Sequence, residues 1–176
     1  VMVTDLQSLY DGDDGQESPA LKDLRIQCAD HAAWQREQHQ SGRWQSHLNY
    51  WQETLSGVPR VMDFPFDRPR HLEATNAGSE VRFKCSKKTS MALKELSRKR
   101  GASLFMTLQT AFATFLNRIT GQSDLVIGNP IANRGSRDVE TLIGCFINLL
   151  PIRIQIAPNQ TFFQLLDSVK ESCLEA

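Results

Sequence analysis

The 176 residues are enough to close one core, and 40% apolar with 23% charged residues is the balance of an ordinary globular chain rather than a disordered one. Lys plus Arg and Asp plus Glu number 20 each, which removes the electrostatic reason to expect nucleic acid or an anionic membrane as partner. No run reaches the roughly 18 apolar residues of a membrane span, and Val1-Met2-Val3-Thr4-Asp5 has neither the basic start nor the cleavage site of a secretory signal.

Met2, Leu6, Leu9 and Tyr10 fall at i, i+4, i+7 and i+8, an apolar helical stripe with no capping residue ahead of it, so the chain is expected to begin inside an element. Residues 11–19 read as a Gly/Asp/Ser loop. Their acidity does not make a calcium loop, because the glycine comes one position early and Lys22 stands where the bidentate glutamate belongs. Residues 29–40, rich in Ala and Gln around Trp34, predict a second helix. Residues 43–55 predict a third, with Trp44, Leu48, Trp51 and Leu55 at i, i+4, i+7 and i+11 and a stop at Gly57 and Pro59. Large aromatics at that spacing are expected in a core. Residues 61–76, stiffened by Pro65 and Pro69, read as an extended linker on a surface.

From residue 79 the pattern becomes α/β. Val81, Phe83 and Cys85 alternate with Arg82 and Lys84, which predicts a half-buried strand. Ser86 can cap a helix carrying Ala92, Leu93 and Leu96, which Gly101 stops; Arg98, Lys99 and Arg100 close its last turn, where cations suit the helix dipole. That basic cluster reads as a solvated helix end, the alternative being the docking of an acidic partner. Ser103 caps another helix, whose Leu104, Leu108, Ala111, Phe112, Phe115, Leu116 and Ile119 follow the template of an apolar face up to Gly121. Residues 125–132 and 146–156 predict strands, the second with Ile152, Ile154 and Ile156 on one face and with Pro151 implying a bulge or an edge. Thr161-Phe-Phe-Gln164 is a capping box opening a last helix with Phe162, Leu165, Leu166, Val169 and Cys173 inward. This helix runs to Ala176 without a stop signal, so both ends read as cut. There is no internal repeat.

Chemistry is sparse in this pattern. Cys28, Cys85, Cys145 and Cys173 lie far apart with no Cys-x-x-Cys pair, against a zinc site or disulfide framework and in favour of reduced thiols and a cytoplasmic protein. His31, His39, His47 and His71 have no metal-ligand spacing, and the first three, in polar helices, are expected to be exposed or to pack. No nucleophile elbow, phosphate loop or dinucleotide fingerprint occurs. Spacing alone therefore reaches only an α/β domain.

Five segments in order carry a resemblance. Residues 26–35, Ile-Gln-Cys-Ala-Asp-His-Ala-Ala-Trp-Gln, are similar to a Tyr-x-Asp-Tyr-Ala-x-Trp-Gln element, with Cys28 and His31 where tyrosines are usual. Tyr50-Trp51 with Leu55 and Gly57 resembles the helix end that follows it. Residues 63–70, Asp-Phe-Pro-Phe-Asp-Arg-Pro-Arg, resemble a Leu-Pro-x-Asp-Arg-Pro-Arg linker. Residues 128–134, Gly-Asn-Pro-Ile-Ala-Asn-Arg, resemble Gly-x-Pro-x-Ala-x-Arg. Residues 143–153 resemble Ile-Gly-x-Phe-Val-Asn-Thr-x-x-x-Arg, with Leu149 replacing the threonine. All five templates are motifs of the condensation domains of nonribosomal peptide synthetases, the family this chain resembles.

The resemblance implies an α/β (α+β) fold, a two-layer sandwich of the chloramphenicol-acetyltransferase-like kind with two lobes facing a shared tunnel. In that scheme residues 1–19 end a helix and loop of the first lobe, 20–78 form a helical linker region, and 79–176 form part of the C-terminal lobe. It further implies that the amine of a downstream aminoacyl thioester attacks an upstream acyl thioester, both held on phosphopantetheine arms of carrier proteins, with no cofactor bound directly. Implied partners are peptidyl carrier protein domains, a neighbouring adenylation domain and the first lobe. The His-His-x-x-x-Asp-Gly motif of the family is expected just ahead of Val1, so no residue here is catalytic by resemblance. Gly128, Pro130, Asn133, Gly144, Phe146 and Asn148 are the tunnel candidates. They combine glycines that permit close backbone approach with a strand end of the kind that presents functional groups. Alternatives are an acyl-CoA-dependent acyltransferase, an epimerization domain, or a lobe that only docks a carrier. The Asp-Arg-Pro-Arg and Asp-His-Ala-Ala-Trp segments favour the carrier-dependent branch, and the Ile-Gly-x-Phe-Ile-Asn stretch favours condensation over epimerization. Apolar surface facing the first lobe is expected to make the chain associate or be marginally stable.

Overall fold

A computed structural model describes residues 1–11, 21, 23–68 and 78–176. The elements in chain order are α1 (Met2–Asp11), α2 (Cys28–Gln40), α3 (Gln45–Thr54), α4 (Lys87–Lys99), α5 (Leu104–Thr120), β1 (Asp124–Ile131), α6 (Arg137–Glu140), β2 (Asn148–Gln155) and α7 (Phe162–Glu175). The chain divides into two compact units. The first comprises Val1–Thr54 with Pro130–Leu149, and the second Leu55–Asn129 with Leu150–Ala176. Among the described residues no helix is long and apolar enough to cross a membrane, and no group of His, Cys, Asp and Glu is placed to hold a metal ion. The expected loop over 12–19, Lys22, the second half of the linker (69–76) and His71 lie outside the described residues.

In the second unit local signals become local structure. Ser86 Oγ accepts the Thr89 amide at 3.1 Å and Ser103 Oγ accepts the Met106 amide at 3.1 Å, so each satisfies a donor that the first helical turn leaves free. Gly121 takes the left-handed conformation, φ +71°, that terminates α5 without a Cβ penalty. The capping box of α7 forms in both directions, with Thr161 Oγ1 accepting the Gln164 amide and Gln164 Oε1 accepting the Thr161 amide. β1 and β2 pair as a two-stranded sheet, and the Ile156 amide donates to the Ser123 carbonyl at 2.7 Å, which sets the end of β2 beside the start of β1.

The core joins Ala113 and Leu116 of α5, Leu125 of β1, Ile152 and Ile154 of β2, and Leu165 and Val169 of α7. The inward face expected for β2 and most of that expected for α7 are therefore realised, with Phe162 and Cys173 half-buried. Among the described residues Pro151 lies in a strand that pairs on one side only, an edge position that suits its missing donor. Arg153 grips Asp124 through two bonds, Nε to Oδ1 at 2.9 Å and Nη2 to Oδ2, and its Nη1 donates to the Ser56 carbonyl at 3.0 Å. The guanidinium beside it holds the Asp124 carboxyl below the ordinary carboxylate range.

Three expectations need correction. Residues 79–85 form no strand: Val81 is 87% and Phe83 89% exposed, and Cys85 is exposed too. Alternation makes a strand only where a neighbour supplies a ladder and a layer covers one face, and neither is present among the described residues. The second concerns α5, whose predicted apolar stripe is not its buried face. Of the seven stripe positions only Leu116 is buried, whereas Phe112 and Phe115 stay 49% and 53% exposed. The helix instead turns Thr107, Gln109, Thr110, Ala113 and Leu116 inward, with Thr107, Thr110 and Thr114 hydroxyls bonding back to the carbonyl four residues earlier. Small residues there let α4 and α7 come close. Third, Trp34, Trp44 and Trp51 are exposed or half-buried rather than core, and α1 and α3 bury no residue. The short α6 was not foreseen; four residues carry too little periodicity to be read.

Candidate functional site

The first unit holds the candidate site, built from α2, α3 and residues 130–149. Asn133 adopts φ +50°, a left-handed conformation that asparagine tolerates better than other side chains, and it turns the chain out of β1. Arg134 then organises the loop that follows. Its Nη1 donates to the Val139 carbonyl and, at 2.9 Å, to that of Leu142, while Nη2 reaches the Gly144 carbonyl at 3.2 Å. The same guanidinium lies 4.2 Å from the centre of the Phe146 ring. A small apolar cluster of Val139, Leu142 and Phe146, with Ile26 packed on it, fills the loop.

α2 meets this loop through the residues that stand where the family motif has tyrosines. Cys28 Sγ donates to the Ile143 carbonyl at 2.9 Å. The His31 ring stacks on Trp34, with centroids 5.5 Å apart and planes at 27°, and tilts against Phe146 at 5.3 Å. A Cβ on Gly144 would sit 2.8 Å from Cys28 Sγ and 3.1 Å from the Phe146 ring, so the position requires a glycine unless both neighbours move. Asp30 is absorbed by the helix start, its Oδ2 accepting the Gln27 amide at 2.8 Å.

Two cavities open among these groups. The smaller, about 460 Å³, is walled by Asn133, Gly144, Phe146 and Asn148 from the loop and by Cys28, His31, Ala32 and Gln35 from α2. The larger, about 920 Å³, is walled on its apolar side by Ile26, Trp34, Trp44, Leu48, Trp51 and Val139. His31, Gln35, Asn133 and Asn148 line both. Four of the six residues singled out in the sequence, Asn133, Gly144, Phe146 and Asn148, thus share one cavity. Pro130 belongs to the same unit but not to that wall, and Gly128 belongs to the second unit, where a Cβ would meet nothing within 4 Å. Asn148 Oδ1 accepts the Leu149 amide at 2.9 Å.

Sequence reasoning passed over Arg134 and His31. The arginine was present in the quoted Gly-x-Pro-x-Ala-x-Arg segment, yet its partners are backbone carbonyls that no residue pattern records. The histidine was read with His39 and His47 as exposed or packing and as a departure from an aromatic position, and its spacing tied it to no site.

Comparison with known proteins bears on the identity of this arrangement. The family model described as Condensation domain matches residues 1–176. The chain is 40% identical over all its 176 residues to one of the linear gramicidin synthase proteins of Brevibacillus parabrevis, of which that stretch is 2%. It is 41% identical over 172 residues to phosphinothricin tripeptide synthetase PhsC of Streptomyces viridochromogenes, covering 98% of this chain and 16% of that protein. The chain thus spans only a small part of the curated relatives it matches. Among solved structures, the SgcC5 protein of Streptomyces globisporus matches at TM-score 0.82 and 29% identity over 99% of this chain and 39% of its own. The X-domain from teicoplanin biosynthesis matches at TM-score 0.86 and 25% identity over 96% of this chain and 38% of its own.

Proposed function

Because this chain belongs to the condensation-domain family, with the mixed, chloramphenicol-acetyltransferase-like fold of that family, we propose that it serves amide-bond formation in a nonribosomal peptide synthetase. An acyl or peptidyl thioester on one carrier protein is attacked by the amine of an aminoacyl thioester on the next. The C–N bond forms, the C–S bond breaks, the phosphopantetheine thiol departs and the amine loses a proton. The observation that carries this reading is the convergence of Asn133, Gly144, Phe146 and Asn148 on one cavity.

In this reading the chain supplies walls rather than the proton acceptor. Its sequence contains no His-His-x-x-x-Asp-Gly run, and none of its residues is assigned to catalysis. Gly144 lets Cys28 and the Phe146 ring close against the loop, Phe146 keeps water from a hydrolysable thioester, and the carboxamides of Asn133, Asn148 and Gln35 match the amides of a phosphopantetheine arm, each able to donate and accept. Gly128 and Pro130 are assigned as tunnel residues on their motif positions alone. Residues 79–176 are assigned to part of the C-terminal lobe, 20–78 to the region linking it to a first lobe, and 1–19 to the end of that first lobe. Carrier domains and an adenylation domain are the proposed partners, and the cytoplasm the proposed compartment.

The test loads two carrier proteins with donor and acceptor and follows dipeptidyl product by mass spectrometry. The synthetase carrying this chain should condense them, Asn148→Ala should slow the reaction at least tenfold with circular dichroism unchanged, and the 176-residue chain alone should yield no product. An unchanged rate in Asn148→Ala removes that residue from the site. Condensation by the chain alone would contradict the assignment of chemistry elsewhere.

A further inference from the structure

The two chambers differ in their walls: the smaller is lined by carboxamides, His31 and thiols beside Phe146, and the larger has an extensive apolar side together with Asp30, His47, Ser136 and Asp138. Apart from His31 the smaller chamber carries no ionisable side chain except the thiols of Cys28 and Cys145: no Asp, Glu, Lys or Arg lines it. A ligand with a formal charge would find no counter-ion there, whereas a neutral amide would meet three carboxamides. The larger chamber offers three tryptophans and three aliphatic side chains, a wall suited to an apolar group. The two chambers share His31, Gln35, Asn133 and Asn148.

Of these four, His31 has an unfinished environment. Its Nε2 is shut off from solvent and makes no hydrogen bond. A covered polar atom without a partner is a standing penalty that native structures remove wherever they can. The ring is held by aromatic faces, Trp34 and Phe146, which fix its plane but supply no partner for the nitrogen. The terminal torsion of a histidine is broad and roughly two-fold, and a half-turn about it keeps the ring in its plane against Trp34 and Phe146 while exchanging the places of its nitrogens and carbons, so a nitrogen can be presented to a ligand group at the chamber wall.

We propose that His31 is a specificity-determining residue that hydrogen-bonds the amide of a bound thioester whose apolar acyl group occupies the tryptophan-lined chamber. The ligand class is a neutral, amide-bearing thioester with a hydrophobic acyl chain. This deepens the reading above and rests on it only for the presence of a thioester. His31 takes no part in bond breaking.

The experiment is isothermal titration of the full chain with S-octanoyl-N-acetylcysteamine, which carries the amide, and with S-ethyl thiooctanoate, which lacks it. His31→Phe keeps a flat ring between Trp34 and Phe146 and deletes both nitrogens. The native chain should bind the amide-bearing thioester more tightly, His31→Phe should lose roughly three- to tenfold in that affinity, the range of one net hydrogen bond, and affinity for the amide-free thioester should stay within twofold. Equal binding of the amide-bearing ligand by native and variant chains overturns the proposal, as does failure of the native chain to bind either ligand. A parallel loss for both ligands assigns His31 to packing and equally overturns it. If the amide selectivity holds while the synthetase condenses no carrier-bound substrates, the amide-forming function fails and the site stands.

Discussion

Arg134 offers the sharpest perturbation, because one guanidinium ties together the eight residues 139–146. It donates to the carbonyls of Val139, Leu142 and Gly144 and lies against Phe146. A hydrogen bond from a charged donor contributes about 1.5–3 kcal/mol where water is excluded. This side chain is half-buried, so water replaces part of what is lost, and Arg134→Ala should cost about 3 kcal/mol rather than the sum of three such bonds. Arg134→Lys keeps the charge but cannot fork toward Leu142 and Gly144 while lying flat on a ring, and should cost about 1–2 kcal/mol. The assay has a built-in reporter: all three tryptophans, Trp34, Trp44 and Trp51, belong to the first unit. Urea unfolding followed by tryptophan fluorescence therefore reads that unit. With a slope of about 2 kcal/mol per molar urea, Arg134→Ala should lower the midpoint by about 1.5 M and Arg134→Lys by about 0.5–1 M. A lysine variant with the native midpoint would refute the claim that fork geometry, rather than charge, holds residues 139–146 in place.

The acid limb of stability should respond to Asp124. Its carboxyl titrates below the ordinary range because Arg153 bonds it in the fold, so its contribution is complete above about pH 5, where an unfolded aspartate is almost fully ionised, and is lost progressively as pH falls through the unfolded and then the lowered value. Asp124→Asn should thus narrow the stability gap between pH 6 and pH 3, read by thermal unfolding at each pH; an undiminished gap would count against the pair. Thr107→Val should cost about 1–2 kcal/mol by deleting the buried 2.7 Å bond between Thr107 Oγ1 and Ser97 Oγ that joins α5 to α4, as measured by urea unfolding followed by circular dichroism, and a neutral result would show that the bond adds nothing net. Finally, Phe105, Leu108, Phe112 and Phe115 form an exposed apolar face on α5, and such faces drive association. The chain should sediment above monomer mass at tens of micromolar, with the double variant Phe112→Glu and Phe115→Glu returning to monomer at unchanged melting temperature; a monomeric native chain would refute this.

Helices, caps and the core strand were legible because their signals are local. Ser86, Ser103 and Thr161 precede their helices by one residue, and the alternation of Ile152 and Ile154 needs only a neighbouring layer. What failed was the step from pattern to burial. The α5 stripe and the 81–85 alternation are both real amphipathic patterns, yet which face a fold covers depends on what lies opposite. On α5 the side chains fully covered by their neighbours are Thr107, Thr110 and Ala113, all small and two of them polar. A count of apolar residues ranks that face below the phenylalanine face, although close packing favours it.

The candidate site inverts this relation. Its members were found through resemblance, and geometry then supplied a reason for each. Gly144 is a glycine because Cys28 and Phe146 crowd it, and Asn133 suits a left-handed turn. Arg134 is an arginine because the carbonyls of Val139, Glu140, Leu142 and Gly144 and the Phe146 ring converge on it. The departures from the motif carry more. At residue 28 a cysteine thiol is short enough to reach the Ile143 carbonyl while lying 2.8 Å from where a Gly144 Cβ would be; a tyrosine in the same direction would overlap the loop. At residue 31 an imidazole makes aromatic contacts with Trp34 and Phe146 and carries nitrogens within its ring where a tyrosine has a hydroxyl at the end. The two substitutions lie within one turn of α2 and wall the same chamber. Shorter side chains at both positions enlarge that chamber from the α2 side, so a relative with tyrosines at both should accept smaller amide-bearing ligands than this chain does.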